Sequence, residues 1–361
     1  MPERVYNFSP GPATLPCEVL RQAAQDIVNF RNTGIGLIEL SHRSGEFMAV
    51  AEEAESLLRE LMEIPNNYKV LFLQGGASTQ FFMVPMNLLA GGKTAAYLNT
   101  GTWAKKAIKE AENFGRIEVV YSSENSKFDH VPKDGQYQVP DDARYLYFVS
   151  NNTIYGTQFH NLPKSDKMLV CDMSSDILSR KIDLSPFGLI FAGAQKNLGP
   201  AGVTVVIIRD DLLNGSLETI PTMLRYKTHA DKGSMFNTPP CFGIYAVGEV
   251  LKWVKRQGGV AALEAVNREK AALLYEAIDA TEYYRGHARP DSRSLMNVSF
   301  NLPNEELEKK FIAEAAAAGL NGLKGHRSIG GCRASIYNAF PKEGVVELVS
   351  FMRKFEQENP A

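Results

Sequence analysis

The sequence predicts an α/β protein: a large domain on a mostly parallel central sheet, followed by a smaller α+β domain. Two observations carry that expectation. From residue 70 to residue 209, short apolar runs alternate with segments of helical apolar spacing, the pattern of strands covered on both faces by helices. Past Gly258-Gly259 the order changes to helix, strand, helix, strand, helix, so the two glycines mark the expected hinge.

Taken in order, Pro2, Pro10 and Pro12 make residues 1–15 an extended arm; the large domain is expected over 16–258 and the small one over 259–361. Helical spacing covers 17–32 and 45–63. A strand at 70–74 closes on Gly75-Gly76, and 78–89 reads as a helix. Residues 94–98 read as a strand and 103–114 as an amphipathic helix. Further strands are expected at 117–121, 145–150, 168–172, 189–192 and 203–209. A long helix should follow Pro239-Pro240 and run to about residue 257. Beyond the hinge come a helix at 261–280, a strand at 295–300, a helix at 305–318, a strand at 334–338 and a last helix near 344–357.

Composition narrows the function classes. Lysine plus arginine number 39 against 41 acidic residues, a net charge of −2, which argues against a nucleic-acid-binding surface or a polybasic membrane anchor. Any anionic ligand must be held by a local basic cluster. No uncharged apolar run approaches the roughly 20 residues of a membrane span, and the opening MPERVYNFSPGP lacks the pattern of a signal peptide. Cys17, Cys171, Cys241 and Cys332 are widely spaced and form no metal-ligand pattern, so neither disulfides nor a metal is expected and a reducing cytoplasm fits best.

Three segments carry chemistry. Lys196 lies among small residues in Ala192-Gly-Ala-Gln-Lys-Asn-Leu-Gly-Pro-Ala-Gly202, between two apolar strands. Such a setting lowers an amine's pKa, and a neutral amine forms Schiff bases; the alternative is a lysine in an exposed glycine-rich hairpin. Asp172 ends the apolar strand Met168-Leu-Val-Cys-Asp172. A carboxylate there can protonate the ring nitrogen of pyridoxal 5'-phosphate, or simply form a cap or turn. Gln74-Gly-Gly-Ala-Ser-Thr-Gln80 follows a strand and opens a helix, a junction that binds phosphate through free N–H groups and the helix dipole, although ordinary strand-to-helix turns look the same. An acid at one strand end and a lysine just past the next strand make the narrower coincidence.

Seven blocks then resemble one family: FSPGP from residue 8, SHR at 41–43, GGAS at 75–78, NNTIYGTQ at 151–158, GAQKN at 193–197, GSMFNTPP at 233–240 and KGHRSIGGCRASIYNA at 324–339. In this order they resemble the phosphoserine aminotransferase family, class V aminotransferases of pyridoxal-phosphate fold type I. The resemblance implies Lys196 as Schiff-base lysine and proton shuttle, with Asp172 paired to the ring nitrogen. It implies Trp103 stacked on the cofactor ring and Thr153 bonded to its phenolic oxygen. Ala77, Ser78, Gln195, Asn237 and Thr238 would hold the cofactor phosphate, the last two from the neighbouring subunit of a homodimer; Ser174 would be a further phosphate contact. Without the family pattern, Trp103 reads as a core residue and Asn237-Thr238 as a helix cap.

Family substrates (glutamate and phosphohydroxypyruvate) carry two anionic groups, which calls for forked cations. By resemblance Arg333 binds the α-carboxylate, while His42, Arg43, His326 and Arg327 bind the distal phosphate or carboxylate; His326 and Arg327 could cross the dimer. Both histidines could equally be structural. Ser78 stands where some members carry arginine, which speaks against efficient use of the longer phosphohydroxythreonine. The implied activity is ping-pong amino transfer from L-glutamate to 3-phosphohydroxypyruvate, giving O-phospho-L-serine and 2-oxoglutarate. The rivals are another fold-type I enzyme acting on a small amino acid, a cysteine desulfurase, and an idle cofactor-binding protein. Cys332, inside GCRAS, reads as a buried neighbour of Arg333 rather than a mobile nucleophile.

Overall fold

The computed structural model describes residues 4–215 and 218–360. In chain order it holds β1 (Tyr6–Asn7), α1 (Cys17–Val28), α2 (Gly45–Met62), β2 (Tyr68–Leu73), α3 (Gly76–Leu88), β3 (Thr94–Asn99), α4 (Thr102–Ala111), β4 (Arg116–Ser122) and β5 (Ala143–Val149). There follow β6 (Asn151–Asn152), β7 (Thr157–Gln158), β8 (Met168–Asp172), β9 (Phe187–Gly193), β10 (Thr204–Arg209), α5 (Tyr226–Ala230) and α6 (Cys241–Arg256). The remainder comprises α7 (Gly259–Asp279), β11 (Arg285–Gly286), β12 (Asn297–Asn301), α8 (Glu305–Ala317), β13 (Leu320–Asn321), β14 (Cys332–Ser335) and α9 (Lys342–Glu358).

The central sheet has seven strands in the order β2-β10-β9-β8-β5-β3-β4. From β9 to β4 every pairing is parallel, whereas β10 runs antiparallel to both β9 and β2. The short connection 194–203 leaves no room for the crossover helix that a parallel partner of β9 would need. The strands are apolar almost throughout because both faces are covered: α1, α2 and α6 contribute to one core cluster, and α3 and α4 to another.

The smaller sheet, β11-β12-β14, is antiparallel, and α7, α8 and α9 pack around it. The first turn of α7 places Val260 and Leu263 in the large cluster, whereas Ala271, Leu274 and Ile278 lie in the small one. The arm takes part as well: Tyr6 pairs with Leu320 and Asn7 with Asn321, and Phe8 is fully buried in the small cluster.

Several boundaries shift by a few residues from the periodicity reading, α4 ending at Ala111 rather than 114 and β12 running Asn297–Asn301 rather than 295–300, and two more have a visible cause. α1 stops at Val28, where Asn29 turns extended and a short 3-10 turn, Phe30–Asn32, replaces the last helical residues. The strand expected at 334–338 is β14, displaced to Cys332–Ser335. The chain leaves the sheet after Ser335 because Lys270 captures its carbonyls: Nζ donates to Ile336 O at 3.0 Å, Tyr337 O at 2.7 Å and Phe340 O at 3.1 Å. Burial pulls the Lys270 pKa down to about 7. Substituting Lys270→Met would leave three carbonyls without that donor. The melting temperature should fall on the order of 5 °C in a thermal scan.

Candidate active site

The segments that carry Thr153, Asp172 and Lys196 lie together at one edge of the central sheet. β5, β8 and β9 are adjacent and parallel, with Val149 opposite Asp172 and Asp172 opposite Phe191, so their carboxyl ends open together. That is where an α/β sheet presents ligand-binding residues. Thr153 follows β5 in the β6–β7 hairpin, Asp172 is the last residue of β8, and Lys196 lies in the turn after β9. β3 ends beside them and leads through Gly101 into α4, which carries Trp103 in its first turn.

The turn holding Lys196 does join antiparallel strands, as the hairpin alternative requires, but the side chain points inward. Its Nζ donates to Thr153 Oγ1 at 2.5 Å. Burial draws the amine's pKa down to about 8; the Asp172 carboxylate opposes that shift and the Arg333 guanidinium adds to it. Asp172 does make the turn that the alternative reading expects. Its Oδ1 accepts the Ser174 N–H at 2.8 Å, the expected turn bond, and the residue is almost fully buried. Burial raises its pKa, with the Ser174 hydrogen bonds and Lys196 pulling the other way.

Arg333 on β14 reaches the same place. It is 7% exposed, its Nη1 donates to Thr153 O at 3.4 Å, and its Nε has no hydrogen-bond partner among the described residues. Among those residues it pairs with no carboxylate, and burial lowers its pKa. A buried guanidinium without a counter-ion is built to receive an anionic group. His326, half-buried, bonds Ser328 Oγ through Nδ1 at 2.7 Å. Burial first, then Arg333, Arg327 and Lys106, lower its pKa, so it shares one electrostatic neighbourhood with Arg333 of the same chain.

The phosphate-cup segment opens α3. Gly75 and Gly76 have φ of +92° and +67°, and a Cβ on Gly75 would strike the Thr79 side chain. No side chain caps the helix, so the first-turn N–H groups around Ala77 and Ser78 remain available to an anion. Gln195, half-buried, adjoins Lys196, and its carbonyl accepts the Ala13 N–H at 2.9 Å. Ser174 Oγ accepts the Gly193 N–H at 3.0 Å, tying the β8 and β9 turns together.

Other candidates stand apart. Asn237 and Thr238 are exposed, and Gln74 Nε2 donates to Thr238 O at 3.4 Å. Asn237 and Gly75 line a cavity of about 390 Å³ that includes neither Lys196 nor Asp172. Arg43 and Arg327 are exposed, and among the described residues neither forms an ion pair. His42 Nε2 is buried without a partner.

Three groups escaped the sequence reading. Asp176 is fully buried, accepts from Ser150 Oγ at 2.5 Å and Gln158 Nε2 at 3.1 Å, and favours the charged form of Lys196. Its signal was a second acid four residues after Asp172. Tyr337 receives Asn297 Nδ2 at 3.1 Å and donates to Pro10 O at 2.7 Å, linking the arm to β12 and to the segment after β14. Lys106 lies over the Trp103 ring, 4.7 Å from its centroid; its spacing of three residues from Trp103 on a helix was the available clue.

Comparison with known proteins gives the family. The family model described as Aminotransferase class-V matches residues 5–348. A phosphoserine aminotransferase of Desulfotalea psychrophila is 72% identical over the whole of both chains. The chain belongs to the phosphoserine aminotransferases of the class-V family. A solved phosphoserine aminotransferase, studied for radiation damage of its Schiff base, superposes with a TM-score of 0.97 at 49% identity, covering 99% of this chain and 100% of that one. The enzyme of Bacillus circulans subsp. alkalophilus gives 0.96 at 52% identity, covering 98% and 99%.

The residues present fit pyridoxal 5'-phosphate, the cofactor of this family. Asp172 is a buried carboxyl lacking a bonded cation, as a protonated ring nitrogen requires. Trp103 Nε1 is buried without a partner, and the Gly75-Gly76 junction is open to a phosphate. Trp103 also packs among partly buried apolar groups of both the α3–α4 cluster and the Tyr155 cluster, so it has a packing role beside any stacking one.

Proposed function

We propose that the chain is a phosphoserine aminotransferase, transferring the amino group of L-glutamate to 3-phosphohydroxypyruvate and yielding O-phospho-L-serine and 2-oxoglutarate. The observation that carries this reading is the Arg333 guanidinium, buried beside Lys196 without a counter-ion among the described residues. When bound, pyridoxal 5'-phosphate supplies an aromatic ring that accepts the electron pair released at the substrate Cα.

The chain's own groups do the rest. Lys196, held by Thr153 and tuned toward neutrality, accepts and returns the Cα proton through its Nζ. Asp172 keeps a proton on the cofactor's ring nitrogen. Thr153 and Trp103 orient the ring, and Ala77, Ser78, Gln195, Ser174, Asn237 and Thr238 hold its phosphate. Arg333 binds the α-carboxylate common to both substrates, and His42, Arg43, His326 and Arg327 bind the distal anion. One pocket receives both acids in turn, so the kinetics are ping-pong.

The same reading makes the enzyme a cytoplasmic homodimer with shared sites. Its support is that Arg43, Asn237 and Thr238 lie exposed, where a second copy can use them. All four cysteines are free, as in a reducing compartment, and no helix among the described residues is long and apolar enough to cross a membrane. Gly258-Gly259, with φ of +91° and +81°, is the proposed hinge between the unit 16–258 and the unit 259–361.

The test is a single half-reaction: the purified yellow holoenzyme mixed with O-phospho-L-serine, L-glutamate, alanine or cysteine, following loss of the bound cofactor's long-wavelength absorbance. Rapid loss with phosphoserine and glutamate alone is expected; loss with alanine or cysteine alone would refute the substrate. Arg333→Ala should lower kcat/KM for both substrates roughly a hundredfold while pyridoxal phosphate stays bound, because truncating one partner of a buried charge pair costs about 2–5 kcal/mol. An idle cofactor carrier would show no change.

A further inference from the structure

Trp103 has two neighbours whose place at the site is unassigned. Ile329, in the turn that follows Arg327, packs as Trp103 does against Phe128, Ile154 and Tyr155, so one apolar cluster joins the 326–330 turn to the start of α4. Lys106, one helical turn beyond Trp103, places its ammonium 4.7 Å from the ring centroid. The adjacent Lys105 is neutralised by Glu124, with Nζ to Oε1 at 2.5 Å. Lys106 has no carboxylate partner among the described residues. The His326 ring is made harder to protonate first by burial, then by Arg333 and Arg327, and last by the charge of Lys106, which reaches it. A cation fixed over an indole face keeps its outward N–H groups free for a second, anionic partner.

We propose that Lys106 is a specificity-determining residue at the cleft mouth, where it reads the charge on the distal group of the substrate. The proposal rests on the phosphoserine aminotransferase reading, because it requires substrates whose distal groups differ in charge. A carboxylate carries one negative charge and a phosphate monoester about −1.5 to −2 at neutral pH. Coulomb attraction scales with that charge. Losing the Lys106 cation at a separation of several ångströms in a solvated mouth therefore weakens a monocarboxylate about threefold and a phosphate about five- to ninefold. Lys106 would thus tilt the shared pocket toward its phosphorylated substrate, whereas Arg333 serves both acids alike.

The experiment compares wild-type, Lys106→Gln and Lys106→Arg holoenzymes in separate half-reactions with O-phospho-L-serine and L-glutamate, at low salt and in 0.5 M salt. Lys106 is exposed, so neither variant removes core packing. The expected result is a larger loss of kcat/KM for phosphoserine than for glutamate in Lys106→Gln. The loss should appear in apparent affinity, recover in Lys106→Arg and shrink at high salt. Equal losses for both substrates, or none, would overturn the proposal and leave Lys106 a solvated lysine on an aromatic face. A wild-type enzyme inert toward phosphoserine but active with glutamate would overturn the substrate reading, and this inference with it.

Discussion

Replacing Lys196 by alanine is expected to reduce steady-state amino transfer by about 10⁴-fold or more, the upper range for removing a positioned acid–base group. The cofactor should still bind through the α3 cup and Asp172, but in a form released by dialysis. Lys196 contributes chemistry rather than core packing, so the variant should match the wild-type melting temperature when both lack cofactor. The same amine predicts a pH dependence. Its pKa is lowered to about 8, so its neutral form predominates above that pH, against 10.5 for an ordinary lysine. The rate at which cofactor-free enzyme takes up pyridoxal phosphate covalently should therefore rise through a midpoint near pH 8. A stopped-flow absorbance series across pH 6 to 10 measures it, and a midpoint above 10 would mean that the burial of Lys196 does not tune the amine.

Exchanging Asp172 for asparagine should reduce kcat on the order of 10³-fold, comparable to losing a preorganised electrostatic contact where charge develops. Asparagine keeps the oxygen that accepts the Ser174 N–H, so the turn after β8 survives. What is lost is the negative charge, and with it the proton on the cofactor's ring nitrogen. Because Asp172 also raises the pKa of Lys196, the variant's uptake midpoint should move below 8. A kinetic defect accompanied by that downward shift would separate an electrostatic role from simple misfolding.

The fold was largely legible because its information is local. Apolar runs ending in Asp172 or Gly75 marked the strand ends, and strand ends are where α/β proteins place their chemistry. The direction of β10 was only half legible: alternation of elements is silent about orientation, and the short glycine-rich 194–203 connection offered a hairpin only as an alternative. β14 shifted because the carbonyls just past it, at Ile336, Tyr337 and Phe340, answer to Lys270, 66 to 70 residues away in sequence. The site divides in the same way. Lys196 and Asp172 stand out within their own segments, whereas the Thr153–Lys196 and Arg333–Thr153 bonds join positions 43 and 180 residues apart. Asp176 looked like any acid in a turn until burial placed it beneath the lysine.

The pairing of Tyr6 with Leu320 sets an order of assembly. Past that pairing Tyr337 fastens the arm at Pro10, and the arm then passes the lysine turn, where a Cβ on Gly11 would lie 3.4 Å from Lys196 Cγ and Ala13 N–H meets Gln195 O. The first strand to leave the ribosome must thus wait for nearly the last one before it has a partner. A chain interrupted between α6 and β13 holds every strand of the large sheet and Lys196, yet it lacks both the strand that anchors the arm and Arg333, the proposed substrate arginine.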